Sequence, residues 1–550
     1  MKRLTISANI HFRVIVTYLI FTCQILSATT YYVSNSGNNA NPGTLAEPLK
    51  TISSGVNKLV AGDFLYVRAG VYNEVVTISK KGTETNPITI SGYFDGANYE
   101  MPVIDGGGIL PVSSWTGLMN ITGSYINVSW FEITNSSINA YGLLFEAPGQ
   151  NNKASFIKVH HIGQTGIMGK ADFCTVEDCE VYLNCMSNAA HAAGSGWGNG
   201  IGFAREKSNG ITDYGIIRRC KVYDNHGEGI DAFESSHVTI EDCEVYNNWT
   251  QNVYVSDACY TIVQRNLIYN TLNPLIPPRN GQQTGISLFE ERAGLPCYAN
   301  ADFTTPFSSN NIIINNFLYN AYIGVLTWNE AQVVNPGFRN GLIANNTIIN
   351  GKISIGSLNH VNSQIRNNII YGVPNIPTKV GLTFSNNCWK TTPPANGAGP
   401  GDIIGDPLVA KTGPVTAGAL TAEYFKLLPT SPAINKALIM DEVTEDFFRS
   451  IRDTLPDIGA YEYPYPLVIS SASTEMYRIF PNPATNNLNI EVTAMLENEQ
   501  LQIFNSLGRL SKEVNLTQSK QEISLEDLPS GIYLVRLSQF QQISKKFIKQ

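Results

Sequence analysis

The sequence predicts an all-β chain, a parallel β-helix (solenoid) followed by a small C-terminal β-sandwich. Three observations predict the solenoid. The first is one stretch of residues stated three times: 214–225 returns as 237–248 and again as 260–270. Its anchor position is held by Cys220, Cys243 and Asn266, a step of 23 each time. Self-similarity at such a period means stacked units, none of which buries its apolar face alone. The second is the content of each unit. Short β-branched segments such as 216–222 and 238–245 are followed, after a Gly or Asn, by a second strand at 229–234, 252–257 and 285–290. The third is that no stretch there sustains ten residues of helical period. An antiparallel sandwich with similar strand spacing would give no reason for one residue type to recur at a fixed step. A parallel β-helix does, because each coil lies about 4.8 Å above the last.

A chain of 550 residues is long enough for two or more domains, and 43% hydrophobic with 15% charged residues is a globular composition. Residues 1–28 read as a secretory signal, with Lys2, Arg3 and Arg13 ahead of apolar 14–20 and the small pair Ser27 and Ala28. No later apolar run reaches the length of a membrane span. Of nine cysteines, Cys23 falls in the signal, and Cys179, Cys220 and Cys243 share one repeat position. They are expected as an interior ladder of small hydrophobes rather than disulfides or a metal site, since no CxxC pair is present. Cys185 and Cys297 lie in insertions, and their pairing is left open. The formal charge of −8 includes +3 on residues 1–28 and eight charges of each sign on 472–550, which leaves about −11 on the body. That argues against nucleic acid as the partner, and an anionic polymer would need local cations or a bound metal.

The run from Tyr31 through Gly37, Pro42, Gly43 and Pro48 to Ile52, followed by residues 61–72, resembles the start of secreted right-handed β-helix proteins of the pectate-lyase-like group. The resemblance implies a right-handed helix whose open first coil is covered, here by a short capping helix at 53–60. Extending the anchor ladder backwards gives Phe131 and His160, and forwards Asn316, Asn346 and Asn368. Amides stacked on a corner bond the coils above and below. Residues 405–408, 428–433 and 456–463 resemble the segment that closes such helices, with Arg449, Arg452 and Asp457 expected in end-cap salt bridges. After Pro464 the texture changes. Residues 479–484, 501–508, 528–535 and 545–549 closely resemble the C-terminal sorting domain of the type IX secretion system. That resemblance implies export across the outer membrane of a Gram-negative bacterium, with the domain removed or used for surface attachment. The expected organisation is signal 1–28, β-helix 29–463, linker 464–471 and sorting domain 472–550, in a monomer.

The repeat steps are unequal: 41 residues from Cys179 to Cys220, 50 from Asn266 to Asn316, and 30 from Asn316 to Asn346. The surplus flanks the second strand of its coil, at 185–199, 271–283, 292–309 and 331–339. Insertions clustered around one sheet wall a groove over it. By strict alternation Ile230 and Ala232 point in, and an outward column runs Gly202, Asp231, Tyr254, Ser287 and Leu326. A second row, just past the strand, holds Lys170, Arg205, Glu234, Asp257, Glu290 and Asn329. Stacked carboxylates repel unless a cation holds them. Glu234, Asp257 and Glu290 are therefore the candidate Ca²⁺ ligands, oxygen donors being what calcium takes, with a salt-bridged turn ladder as the plainer reading. Trp197, Trp249 and Trp328 are candidate sugar platforms, joined by Lys170 and Ser287 as substrate-binding residues.

The expected function is cleavage of an acidic, uronic-acid polysaccharide by β-elimination. That needs a cation on the carboxylate, a base for the C5 proton and a donor for the leaving oxygen. The candidates are Asp231, Glu234 and Asp257 for the cation, Lys207, Arg205 or His226 for the base, and Tyr254 for the leaving group. A glycoside hydrolase, with Asp231 and Asp257 as its carboxyl pair, is the alternative enzyme. A non-catalytic adhesin or glycan-binding protein is the alternative from another class. The Asn-Thr-Asp, Asp-Asp and Gly-His-Gly motifs of polygalacturonases and the Asp-Pro-His of mannuronan epimerases are absent, so no family's catalytic residues transfer.

Overall fold

The computed structural model describes residues 28–192, 197–204, 212–281, 283–291, 308–329, 337–356, 359–464, 477–492, 499–505, 510–538 and 544–550. The signal 1–28 (all but Ala28), most of the linker, Arg205, Lys207 and Cys297 lie outside the described residues. The chain divides into two compact units, Met1–Tyr463 and Pro464–Gln550. The first carries three long parallel sheets of 13, 10 and 13 strands, one strand per sheet per coil. The shortest full unit, Thr239–Glu241, Glu244–Tyr246 and Gln251–Ser256, shows why the sequence repeats at its period.

Each coil turns its corners through a left-handed residue. Between the first and third sheets the φ values are 54° at Asp178, 52° at Arg219, 55° at Asp242, 53° at Arg265, 54° at Asn315 and 50° at Asn345. Asparagine tolerates this region best among residues with a side chain. The charged members instead pair along the column. Arg219 meets Asp178 at 2.7 Å, and Arg265 meets Asp242 at 2.9 Å. Immediately after each corner residue the chain turns a side chain inward. From Cys243 onward the next coil's amide oxygen accepts that residue's backbone N–H: Cys243 N to Asn266 Oδ1 at 2.9 Å, then Asn266 to Asn316, Asn316 to Asn346 and Asn346 to Asn368, each at 3.0 Å. A second ladder, Asn184, Asn225 and Asn248, does the same at the corner between the third and second sheets, and ends within its own coil where Asn252 Oδ1 accepts the Asn248 N–H.

The cysteine ladder is present: Cys179, Cys220 and Cys243 are buried free thiols. Cys185 is also a free thiol, and Cys259 is disulfide-bonded. His160 does not belong to this ladder. The register pairs Lys158 with Glu132 and Glu180, so the inward position is Ile157, between Phe131 and Cys179, and His160 falls three residues later on the outer face. There it stacks on Tyr182 at 5.0 Å, the first step of a column continued by Tyr223, Tyr246 and Tyr269.

The N-terminal cap is the helix Ile52–Lys58, capped by the Thr51 hydroxyl, with Ile52 and Val56 buried on the first coil. The closing segment does more than cap an end. It lies along the side of the solenoid, where Val409, Leu420, Phe425 and Ile458 cover Tyr246, Tyr269 and Phe317 of the third sheet. Arg452 is buried there against Glu462 at 2.8 Å and donates to Asn315 Oδ1 at 2.9 Å, while Arg449 reaches Asp242. Asp457 accepts from the Asn435 and Tyr463 amides. The second unit has antiparallel sheets of three and four strands around Leu488, Ile490, Ile503, Val535 and Phe547. No described helix is long and apolar enough to cross a membrane.

Replacing one rung should uncouple two coils. Asn316→Ala leaves the Asn266 N–H and amide without their acceptor, and a buried orphan costs about 1–3 kcal/mol. Urea denaturation should show a loss of that size, against almost none for Asn396→Ala on the surface.

Candidate functional site

The outward face of the ten-stranded second sheet carries the site. Gly202 pairs with Asp231, Asp231 with Tyr254, Tyr254 with Ser287, and Ser287 with Leu326, so the expected column is one line. Ile230 and Ala232 point into the core. Strict alternation fails at the start of each strand, however. A Cβ on Gly229 would lie 2.3 Å from Asn252 O, and one on Gly200 would lie 2.5 Å from Val222 Cγ1. Both therefore face the interior beside Ile230 and Ile201, two inward residues in succession. The residue before each glycine is thrown outward, which puts Glu228 on the same face as Asp231 and Asn199 on the same face as Gly202.

That break brings together groups that alternation kept apart. Asn199 Nδ2 donates to Asp231 Oδ2 at 3.0 Å, and Asn199 Oδ1 and Asp231 Oδ1 are buried without a partner. A cleft of about 290 Å³ opens over the face, lined by Trp197, Glu228, Tyr254, Arg279, Glu291 and Trp328 among others. Burial, then the nearby Glu291 charge, pushes Glu228 up to about 8. Burial and the charges of Glu228 and Glu291 raise Asp231 well above the usual carboxylate range. Tyr254 Oη donates to Glu291 Oε1, and burial with the two glutamates holds its proton far above the usual phenol range.

Trp197 and Trp328 line the cleft and are 61% and 46% exposed, so both present ring surface to a ligand. Trp249 does not; it is 3% exposed, behind Arg279. Ser287 is in the column but fully buried, its hydroxyl without a partner. Lys170 sits over the Tyr141 ring, two strands before that of Asp231. His226 is off the cleft, bonded through Nδ1 to His191 Nε2 at 2.9 Å. Burial and the neighbouring His191 push it down to about 4, so it is a neutral ring at pH 7. Sequence reasoning missed Glu228, Glu291 and Arg279. The signal for Glu228 was present in the glycine that follows it, whereas Glu291 and Arg279 come from strand ends and insertions.

Of the expected calcium ligands Glu234, Asp257 and Glu290, the last two accept from backbone amides. Asp257 accepts from the Glu291 N–H at 3.2 Å, and Glu290 Oε2 from the Gly337 N–H at 2.9 Å. Among the described residues no group of three or more His, Cys, Asp or Glu is placed to hold a metal ion. Oxygens of the kind a hard cation takes also stand on the outward face at Asn199 Oδ1, Asp231 Oδ1 and the Glu228 carboxyl, the first two buried orphans.

Residues 31–259 match the family model described as Pel9A-like, right handed beta helix region, and residues 478–550 match that of the secretion system C-terminal sorting domain. An uncharacterized protein, YwoF, of Bacillus subtilis is 30% identical over 110 residues, 20% of this chain and 23% of that protein. Pectate lyase PEL9 of Emericella nidulans is 24% identical over 212 residues, 37% of this chain and 49% of that one. The chain thus spans about half the length, or less, of these curated relatives. Among solved structures, pectate lyase Pel9A superposes with a TM-score of 0.50 at 17% identity, covering 79% of this chain and 97% of that one. At that identity the likeness speaks for the fold.

Glu290 supplies a pH test. Burial raises its carboxyl from 4.5 to about 7. Between those values the unfolded chain has lost the proton that the folded chain keeps, so stability falls as pH rises through the window, by on the order of 3 kcal/mol. Glu290→Gln should flatten that slope in urea midpoints measured across the window.

Residues 31–259 therefore form a Pel9A-like right-handed β-helix region, and residues 478–550 a C-terminal sorting domain that directs the protein through type IX secretion to the cell surface or the extracellular space.

Proposed function

We propose that this polysaccharide-active β-helix protein cleaves a uronic-acid polysaccharide by β-elimination. One observation carries the reading. Arg279 lines an otherwise acidic cleft, against the exposed Trp197, and makes no ion pair among the described residues. A guanidinium left without a carboxylate partner is suited to a ligand's carboxylate, which it meets with two parallel N–H donors. Trp197 and Trp328 offer apolar faces for sugar rings along the cleft.

The chemistry follows from the chain's own groups. Asn199, Glu228 and Asp231 would hold a calcium ion, whose charge would oppose that of the substrate carboxylate and acidify the C5 proton. Glu291 Oε1, kept as an acceptor by the Tyr254 hydroxyl, is the general base among the described cleft residues. Tyr254 Oη, which retains its own proton, is the donor to the departing glycosidic oxygen. The two act from one hydrogen-bonded pair, on one side of the sugar. The relatives named as pectate lyases support an acidic substrate, and the sorting domain supports an extracellular polymer.

Lyase and hydrolase are separated by product mass, since elimination leaves an unsaturated end lighter by one water than a hydrolysed end. Tyr254→Phe and Arg279→Met should each lower kcat/KM on polygalacturonate by at least about a hundredfold with the melting temperature held. Saturated products would replace this reading by the hydrolase, and retention on a glycan column without any change in chain length would replace it by the adhesin. Calcium titrated calorimetrically should bind at least about tenfold more weakly to Asp231→Asn, and a chelator that changes neither stability nor turnover would remove the metal.

A further inference from the structure

Arg279 stands on an insertion, where a long side chain has about 2 kcal/mol of rotamer entropy to lose, and no acid among the described residues holds it. What does hold it is aromatic. Its guanidinium lies 4.9 Å from the centroid of the Trp197 ring and 5.5 Å from that of Trp249. Its backbone N–H donates to Trp249 O at 2.8 Å. The Trp249 ring is itself stacked on His191, at 5.5 Å and 17° between planes. His191 is fixed through its bond to His226, and Asn188 Nδ2 ties the same insertion to His226 O at 2.7 Å. Two insertions, one carrying His191 and Trp197 and the other Arg279, are thus clasped on an indole that does not line the cleft.

We infer that Trp249, backed by His191, is a positioning residue that holds the Arg279 guanidinium beside Trp197 at the cleft, and that this clamp makes the site select a carboxylate-bearing sugar over its neutral counterpart. The inference rests on the proposed reading of Arg279 as the group that meets a uronate. Its physical content is that aromatic faces fix the plane of a cation without using its N–H donors, whereas a carboxylate partner would fix the plane and consume them. A cleft rich in carboxyls excludes anions unless one cation is kept available, and stacking keeps it so.

The test uses the full secreted chain and two probes, polygalacturonate and its methyl ester, with KM and kcat measured separately. Wild type should prefer the acid. In Trp249→Leu the KM ratio of acid to ester should move toward the ester by about tenfold, with kcat changed less than KM, and Trp249→Phe should recover most of the loss. Arg279→Lys keeps the charge but not the planar stack, so it should lose the preference even if Trp249→Leu fails to fold. A wild-type enzyme indifferent to esterification overturns both the clamp and the uronate reading. A wild type that prefers the acid, with the preference intact in folded Trp249→Leu or in Arg279→Lys, overturns the clamp alone.

Discussion

The constraint on which the rest of the structure depends is that each coil must hand its corner amides to the next. A parallel solenoid leaves backbone groups at every corner that no strand pairing reaches, and leaving them buried without partners costs more than most contacts return. The chain answers with a left-handed corner residue followed by an inward side chain. The answer is chemical rather than geometric, which is why its members change along the axis. Sulfur serves at Cys179, Cys220 and Cys243, and amide oxygen from Asn266 to Asn387. The amide ladder ends on a carboxylate, with Asp402 accepting the Asn387 N–H at 2.9 Å. Register held in this way cannot slip by one residue without moving every core side chain to the outside.

That register is also what builds the site. Because successive coils superpose, a single local irregularity repeated at Gly200, Gly229 and Gly285 becomes a line of outward groups along the axis. Two inward residues in succession at each of these strands turn a period of two into an i, i+3 pair on the outer face. Asn199 and Gly202, and Glu228 and Asp231, share a face for that reason. The small residue is needed where the chain passes close to the next coil, so the irregularity and the outward carboxyl come from one steric cause.

The electrostatics of the cleft follow from placing acids on a closed surface. Burial, with the Glu291 charge, raises the proton affinity of Glu228, and burial with the charges of Glu228 and Glu291 raises that of Asp231. Such a face attracts either protons or cations, and an acidic glycan would meet it only through the positive charge it holds. Arg279, stacked on indoles and paired with no acid among the described residues, supplies one such charge. The insertions that deliver it are fastened by stacking and a histidine pair, not by the regular sheet.

Read from the sequence alone, the solenoid was legible because its period, its corner asparagines and its core alternation are all local. The column Gly202, Asp231, Tyr254 and Ser287 was legible because coils of known period superpose. His160 was misplaced because a ladder with changing residue types has no letter to follow once Cys gives way to Ile157, and only the pairing of Lys158 fixes the offset. Glu228 was missed because alternation is a rule about ideal strands, and the break at Gly229 depends on how close Asn252 comes. Trp249 and Trp328 look alike as letters; the fold buries one behind Arg279 and leaves the other at the cleft. The sequence by itself determined which residues repeat, and hence the helix, its outward face and its sorting domain. Only the tertiary structure decided which insertion side chains reach that face, because their positions are set by contacts between coils far apart in the chain and by no period within it.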